Sequence, residues 1–186
     1  MDIPMDVSNT VITTDRLVLR PLTMDDLADY YAYASEPGVG EMAGWKHHET
    51  MKESEAKLRR AIRRRQTFAI TRKEDGKLIG TFGFRPSWAN DEEAYANYKV
   101  KEIGFSIAKP FWGQGLVPEA VNALVAYGFY ELKLDAVTCC HFADNLQSRR
   151  VIEKCGFRFV RQSTHTAVQL QKTLPDRKYI LLKKPS

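Results

Sequence analysis

No apolar run in the sequence approaches the roughly 18 to 20 residues needed to span a bilayer. Residues 1–10 have neither the basic start nor the apolar stretch of a secretory signal. These absences predict a soluble, cytoplasmic protein with no membrane partner. Cysteine is scarce: Cys139, Cys140 and Cys155 are odd in number, and two neighbours on a strand point to opposite faces. Neither a disulfide framework nor a zinc site is suggested, and reduced thiols are expected. An excess of one charge is also missing, since 28 basic and 23 acidic side chains leave a net charge of +5. That balance is compatible with an anionic ligand without identifying one. Repeats, low-complexity tracts and linkers are absent. The 186 residues, 44% of them hydrophobic, therefore read as one domain, 1–186, with a sizeable core.

The densest basic stretch, Lys57 to Arg65, lies in a segment of helix formers and reads as a solvated face. No aromatic platform or RNA-binding motif accompanies it, so direct nucleic-acid binding is not expected. His47 and His48 are candidates for substrate binding or proton transfer, but a polar loop explains them more economically, and with no spaced set of ligands around them no metal is expected. Tyr30, Tyr31 and Tyr33 are assigned to a helix packing surface.

Periodicity predicts an alternating α/β chain. Arg16 to Arg20 alternates as a strand does, and Thr23 with Asp26 caps a helix reaching Ala34, stopped by Pro37 and Gly38. A second helix is expected over Glu49 to Arg65. Strands follow at Thr67–Thr71 and Leu78–Phe84, joined by an Asp75-Gly76 turn. The polar loop Pro86 to Asn97 is a candidate substrate entrance, and a strand over Lys99 to Ala108 comes next. Val117, Ala120, Val121, Leu124, Val125, Phe129 and Leu132 recur at helical spacing and give a broad apolar face to pack on a sheet. A strand at Ala136–Phe142, a helix at Asn145–Lys154 and strands near Phe157–Arg161 and Tyr179–Leu182 complete the pattern.

The most informative stretch runs from Glu102 to Ala120, where a strand passes through a glycine-bearing turn into an amphipathic helix. Such a junction presents free N–H groups that attract phosphate, and Gly113 and Gly115 allow close approach to the backbone. Pro118 suits a first helical position, where its missing N–H costs little. Taken alone, this is equally a plain strand-to-helix turn.

The stretch resembles the acetyl-coenzyme A loop of the GNAT superfamily of N-acetyltransferases, whose pattern is Gln/Arg-x-x-Gly-x-Gly/Ala. In register, Trp112 replaces Gln/Arg, Gly115 keeps the central glycine and Val117 replaces Gly/Ala. Thr14-Asp-Arg-Leu-Val-Leu-Arg-Pro21, Glu102-Ile-Gly104, Trp112-Gly-Gln-Gly115 with Glu119-Ala120, and Asn145-x-x-Ser148 ending in Gly156-Phe157 occur in the family's order. They point toward the RimJ/RimL-like branch, whose members acetylate ribosomal-protein N-termini or other amines. The similarity spans about residues 13–160.

The resemblance implies a mixed, mostly antiparallel central sheet flanked by helices, with acetyl-CoA as cosubstrate and an amine, on a protein N-terminus or a small molecule, as acceptor. It implies coenzyme contacts at Phe105, Ser106, Ile107, Gly113, Gln114, Gly115, Leu116, Val117, Asn145 and Ser148. Strand alternation puts Glu102, Gly104 and Ser106 on one face, and Glu102 is the candidate base, directly or through water. A paired strand carboxylate is the competing role for Glu102, and helix capping the competing role for Asn145. The tyrosine that protonates the leaving thiolate in many relatives is Ile152 here, and Ser148 is the candidate substitute. Arg149 and Arg150 are candidates for the coenzyme phosphates. The acceptor's identity and the choice between monomer and homodimer stay open, and a weakly active or inactive acetyl-CoA-binding regulator is the rival reading.

Overall fold

The computed structural model describes residues 1–184. Its frame is one eight-stranded sheet in the order β1-β2-β3-β4-β5-β6-β8-β7. The strands are β1 (Ile12–Thr13), β2 (Leu17–Pro21), β3 (Thr67–Arg72), β4 (Leu78–Pro86), β5 (Val100–Ile107), β6 (Ala136–Phe142), β7 (Arg158–Ala167) and β8 (Lys172–Leu182). Every neighbouring pair is antiparallel except β5 and β6. The mostly antiparallel mixed sheet implied by the motifs is therefore what the chain forms.

The one parallel pair needs a crossover, and α4 (Leu116–Tyr130) supplies it. Its apolar stripe, Val117, Ala120, Val121, Leu124 and Val125, packs with Phe68, Ile70, Ile103, Val137 and Cys139 from the sheet. α5 (Leu146–Lys154) lies beside it and buries Ile152 in the same core. On the opposite face, α1 (Leu27–Ala34), α2 (Val39–Ala43) and α3 (Met51–Arg64) cover the sheet around Leu22, Tyr33, Val39, Leu58 and Ala69. Strand alternation divides these layers: Phe68 and Ile70 face α4, while Ala69 between them faces α1 and α3.

Parallel pairing of β5 with β6 stops at Ile103 opposite Cys139, although both strands continue. Beyond that register the strands have no ladder between them. This opening through the sheet positions the site.

Three elements differ from the sequence reading. α2 is too short for periodicity to reveal and begins right after Gly38, the residue read as a stop; Gly38 and Gly44 bracket it with positive φ of 94° and 89°. The β7–β8 hairpin is longer than expected, because β7 is exposed along most of its length and lacks an apolar alternation. The Pro86–Asn97 loop folds into two 3-10 turns whose Ala89 is buried with Val100, Ala136 and Ile180. That end of the sheet is still laddered, so the loop lies away from the opening.

Candidate active site

After β5 and a 3-10 turn at Lys109–Phe111, Gly113 and Gly115 take φ of 73° and 76° before α4 begins. A side chain at such values costs roughly 1–2 kcal/mol, so glycine is what permits this loop. Among the described residues, the backbone N–H groups of Gly113, Gln114 and Gly115 have no hydrogen-bond partner. Those of Leu116 and Val117 belong to the first turn of α4, where no intrahelical acceptor exists. With the positive end of the helix dipole behind them, these donors suit a phosphate.

The loop is held from outside by the segment that precedes β2. The Glu119 carboxylate accepts from Thr14 Oγ1 at 2.6 Å, Arg16 N at 2.8 Å and Arg16 Nε at 2.7 Å, while Arg16 Nη1 donates to the Gln114 carbonyl at 2.9 Å. Burial pushes the Glu119 carboxyl upward, but these donors outweigh it and hold the pKa below the ordinary value. The Thr14-Asp-Arg motif thus has a physical task 105 residues away from its partner, Thr14 to Glu119.

Three adjoining cavities lead from this loop through the sheet. An outer groove of about 470 Å³ is lined by Gly113, Gly115, Leu116, Pro118, Arg150 and Lys154. A slot of about 60 Å³ follows between β5 and α5, lined by Phe105, Ser106, Ile107, Val117, Asn145 and Ser148. It opens into an inner cavity of about 310 Å³ on the α1–α3 side, where Arg85, Gly104, Cys140 and His141 join the lining. Basic groups at the outer end, a thin apolar middle and a free β-strand edge fit a long ligand with a phosphorylated head, and acetyl-CoA has that shape. Trp112 stands at the junction of groove and slot, its indole Nε1 donating to the Ile107 carbonyl at 2.8 Å.

The candidate residues separate by position. Glu102 is buried, and its Oε1 accepts from both Nε and Nη2 of Arg85 at 2.7 and 2.6 Å. No hydrogen bond reaches Oε2 among the described residues. Ser148 lines both slot and inner cavity. Asn145 caps α5 by accepting from Ser148 N at 3.0 Å and donates through Nδ2 to the Met42 carbonyl at 3.1 Å, which ties α2 to α5 over the slot. Arg150 lines the outer groove, whereas Arg149 turns back to Glu153 at 2.8 Å. Ile152 is buried in the core and offers no proton.

Arg85, Cys139, Cys140 and His141 line the inner cavity and escaped the sequence reading. Cys139 is also part of the core, and burial pushes the Cys140 thiol up to about 12, with the nearby Glu102 charge adding to it. His141 is buried, with Nδ1 donating to its neighbour's carbonyl at 2.6 Å and Nε2 3.2 Å from the Tyr179 hydroxyl. Burial lowers its pKa and keeps the ring neutral. Adjacent polar residues inside a β-strand carry no signal that would separate lining from core. Two assignments are corrected. None of the residues lining these cavities comes from Pro86–Asn97. His48 is buried against α3, its Nδ1 2.6 Å from Ser54 Oγ, because the chain turns inward at Trp45 before α3 starts.

Residues 16–158 match the family model described as the acetyltransferase (GNAT) domain. The chain belongs to that family. GNAT proteins are acyltransferases that take the acetyl group from acetyl-CoA. The chain is similar to the uncharacterized N-acetyltransferase YoaA of Bacillus subtilis, with 31% identity over 159 residues, 79% of this chain and 82% of the relative. Among solved structures, the microcin C7 self-immunity acetyltransferase MccE, in complex with acetyl-CoA and AMP, superposes with a TM-score of 0.77 at 17% identity, over 96% of this chain and all of that one. The ribosomal-protein-S5-alanine acetyltransferase of Vibrio fischeri superposes with a TM-score of 0.71 at 16% identity, over 94% and 97%. Among the described residues no helix is long and apolar enough to cross a membrane.

Proposed function

We propose that this GNAT protein transfers the acetyl group of acetyl-CoA to a primary amine by direct attack, with both substrates bound together. The observation that carries this reading is the unpaired stretch of β5: the slot beside Phe105, Ser106 and Ile107 opens at one end to the phosphate-binding loop and at the other to the inner cavity. Donor and acceptor enter from opposite sides of the sheet and meet at Ser106 and Ser148.

Acetyl-CoA supplies an activated thioester, and the residues around the opening have three tasks. The backbone N–H groups of residues 113–117 hold the phosphates, and the edge of Phe105 and Ile107 aligns the pantetheine arm. Glu102 Oε2, left free by the Arg85 pair, takes the proton of the incoming ammonium directly or through water. The Ser148 hydroxyl donates to the departing sulfur. An α-amine with a pKa of about 7.8 costs roughly 1.1 kcal/mol to deprotonate at pH 7, against roughly 4.6 for lysine. A protein N-terminus or similarly acidic amine therefore asks least of this base.

A covalent route is disfavoured by the same cavity. Its half-buried thiol, Cys140, is held protonated near neutrality by burial and is a poor nucleophile. The test is intact mass after incubation with acetyl-CoA and no amine. An unmodified protein supports direct transfer, and stoichiometric acetylation at Cys140 refutes it.

A further inference from the structure

The inner cavity leads on to another of about 200 Å³, with Trp45, Thr81 and Ser106 common to both. Four aromatic side chains make half of its walls, and Lys57, Thr81, Ser106 and Gln169 make the rest. Tyr30, Tyr33, Trp45 and His48 form a closed circuit of edge contacts: ring centroids lie 5.6 Å apart for Tyr30 and Tyr33, 6.5 Å for Tyr33 and Trp45, 5.4 Å for Trp45 and His48, and 5.6 Å for His48 and Tyr30. Packing alone explains such rings when they fill their own centre. Here they also line a cavity, which the other four residues complete.

The box is built rather than incidental. A Cβ placed on Gly40 would collide with the Trp45 ring, so α2 can seat the indole only with glycine there. The Tyr33 hydroxyl is fixed 2.9 Å from Thr81 Oγ1 on β4, and the His48 ring is fixed by Ser54. His48 is neutral around pH 7 because burial, and then the Lys57 charge, lower its pKa to about 4.

Aromatic boxes hold either a cation or a flat neutral ring, and the charges choose. Among the described residues, the charged side chains lining the box or the inner cavity are Lys57 and Arg85, already paired with Glu53 at 2.8 Å and Glu102 at 2.6 Å, and neither glutamate is itself in the lining. A polyamine or aminoglycoside brings several ammonium groups and would find no lining carboxylate for those beyond the reacting one. Resting on the acetyltransfer reading above, we infer that this box is the acceptor specificity site. It takes a neutral aromatic ring carried by an acceptor whose single positive charge is the reacting amine. The ring lies in the cavity against Tyr30, Tyr33, Trp45 and His48, and the amine reaches back past Ser106 to the slot. A free aromatic monoamine and a peptide headed by an aromatic residue share this chemistry.

The experiment measures thiol release from acetyl-CoA with 2-phenylethylamine, tryptamine, a phenylalanine-headed peptide, hexylamine, spermidine and a lysine-headed peptide. The aromatic acceptors are expected to exceed hexylamine and spermidine in kcat/KM by about tenfold or more. Trp45→Leu should erase that advantage through KM and leave acetyl-CoA affinity, measured by calorimetry, unchanged. If Trp45→Leu does not fold, the wild-type panel still decides. Calorimetric binding of 2-phenylethylamine, weakened by Tyr30→Leu, gives a readout without turnover. Preference for spermidine, or equal use of aromatic and polycationic amines, overturns the proposal while acetyltransfer stands. Saturable acetyl-CoA binding with no acceptor acetylated overturns both.

Discussion

Arg85 places two guanidinium nitrogens on a single oxygen of Glu102, at 2.7 and 2.6 Å, and leaves the other oxygen without a partner among the described residues. Glu102→Gln keeps the shape and one acceptor but removes the base. It should lower kcat by about 10² to 10³-fold, with acetyl-CoA affinity retained. An unchanged kcat would assign Glu102 to the ion pair alone.

The phosphate-binding loop predicts a backbone effect. Gly113 has positive φ, and a Cβ added there would meet nothing within 4 Å, so Gly113→Ala adds strain and no clash. Gly113→Ala should weaken acetyl-CoA binding by roughly 5- to 30-fold, the equivalent of about 1–2 kcal/mol. Calorimetric titration checks this, and kcat at saturating donor should change little.

Glu119 predicts a longer-range effect. Its carboxylate and Arg16 together tie β2's leading segment to Gln114. Glu119→Ala should raise the KM for acetyl-CoA by about tenfold, since hydrogen bonds to a charged group are lost where the loop is aimed. The KM of the acceptor should not move, and initial rates over both substrates separate the two.

His48 gives a stability prediction with a definite sign. Its folded pKa is near 4 against an unfolded value of 6.5, lowered by burial first and Lys57 second. Between those values the unfolded chain binds a proton that the folded one does not, so stability falls as pH drops from about 6.5 to about 4. The Tm of the wild type should decline more steeply than that of His48→Gln across this window, read by thermal denaturation at fixed ionic strength.

Much of the donor half of the site is legible in the sequence because it depends on backbone. Gly113, Gly115, Pro118 and the apolar stripe of α4 each report a local conformation, and local conformation is what spacing encodes. The end of the β5–β6 ladder is not legible, since Ile103 and Phe105 alternate identically on either side of it. Nor is the aromatic box: Tyr30, Tyr33, Trp45 and His48 come from α1 and the turn before α3, and only the packing of those segments closes the circuit. Trp112 shows the same limit, because its departure from the family pattern becomes intelligible only with its indole on the Ile107 carbonyl.

Direct acetyl transfer to an amine is tested most directly by initial rates of thiol release with acetyl-CoA and 2-phenylethylamine varied together, and by mass spectrometry of the amine. Intersecting double-reciprocal lines, one acetylated amine per thiol and no release without amine are the predicted result. Parallel lines with an acetylated protein, or saturable acetyl-CoA binding with no acetylated amine from any acceptor, would contradict it.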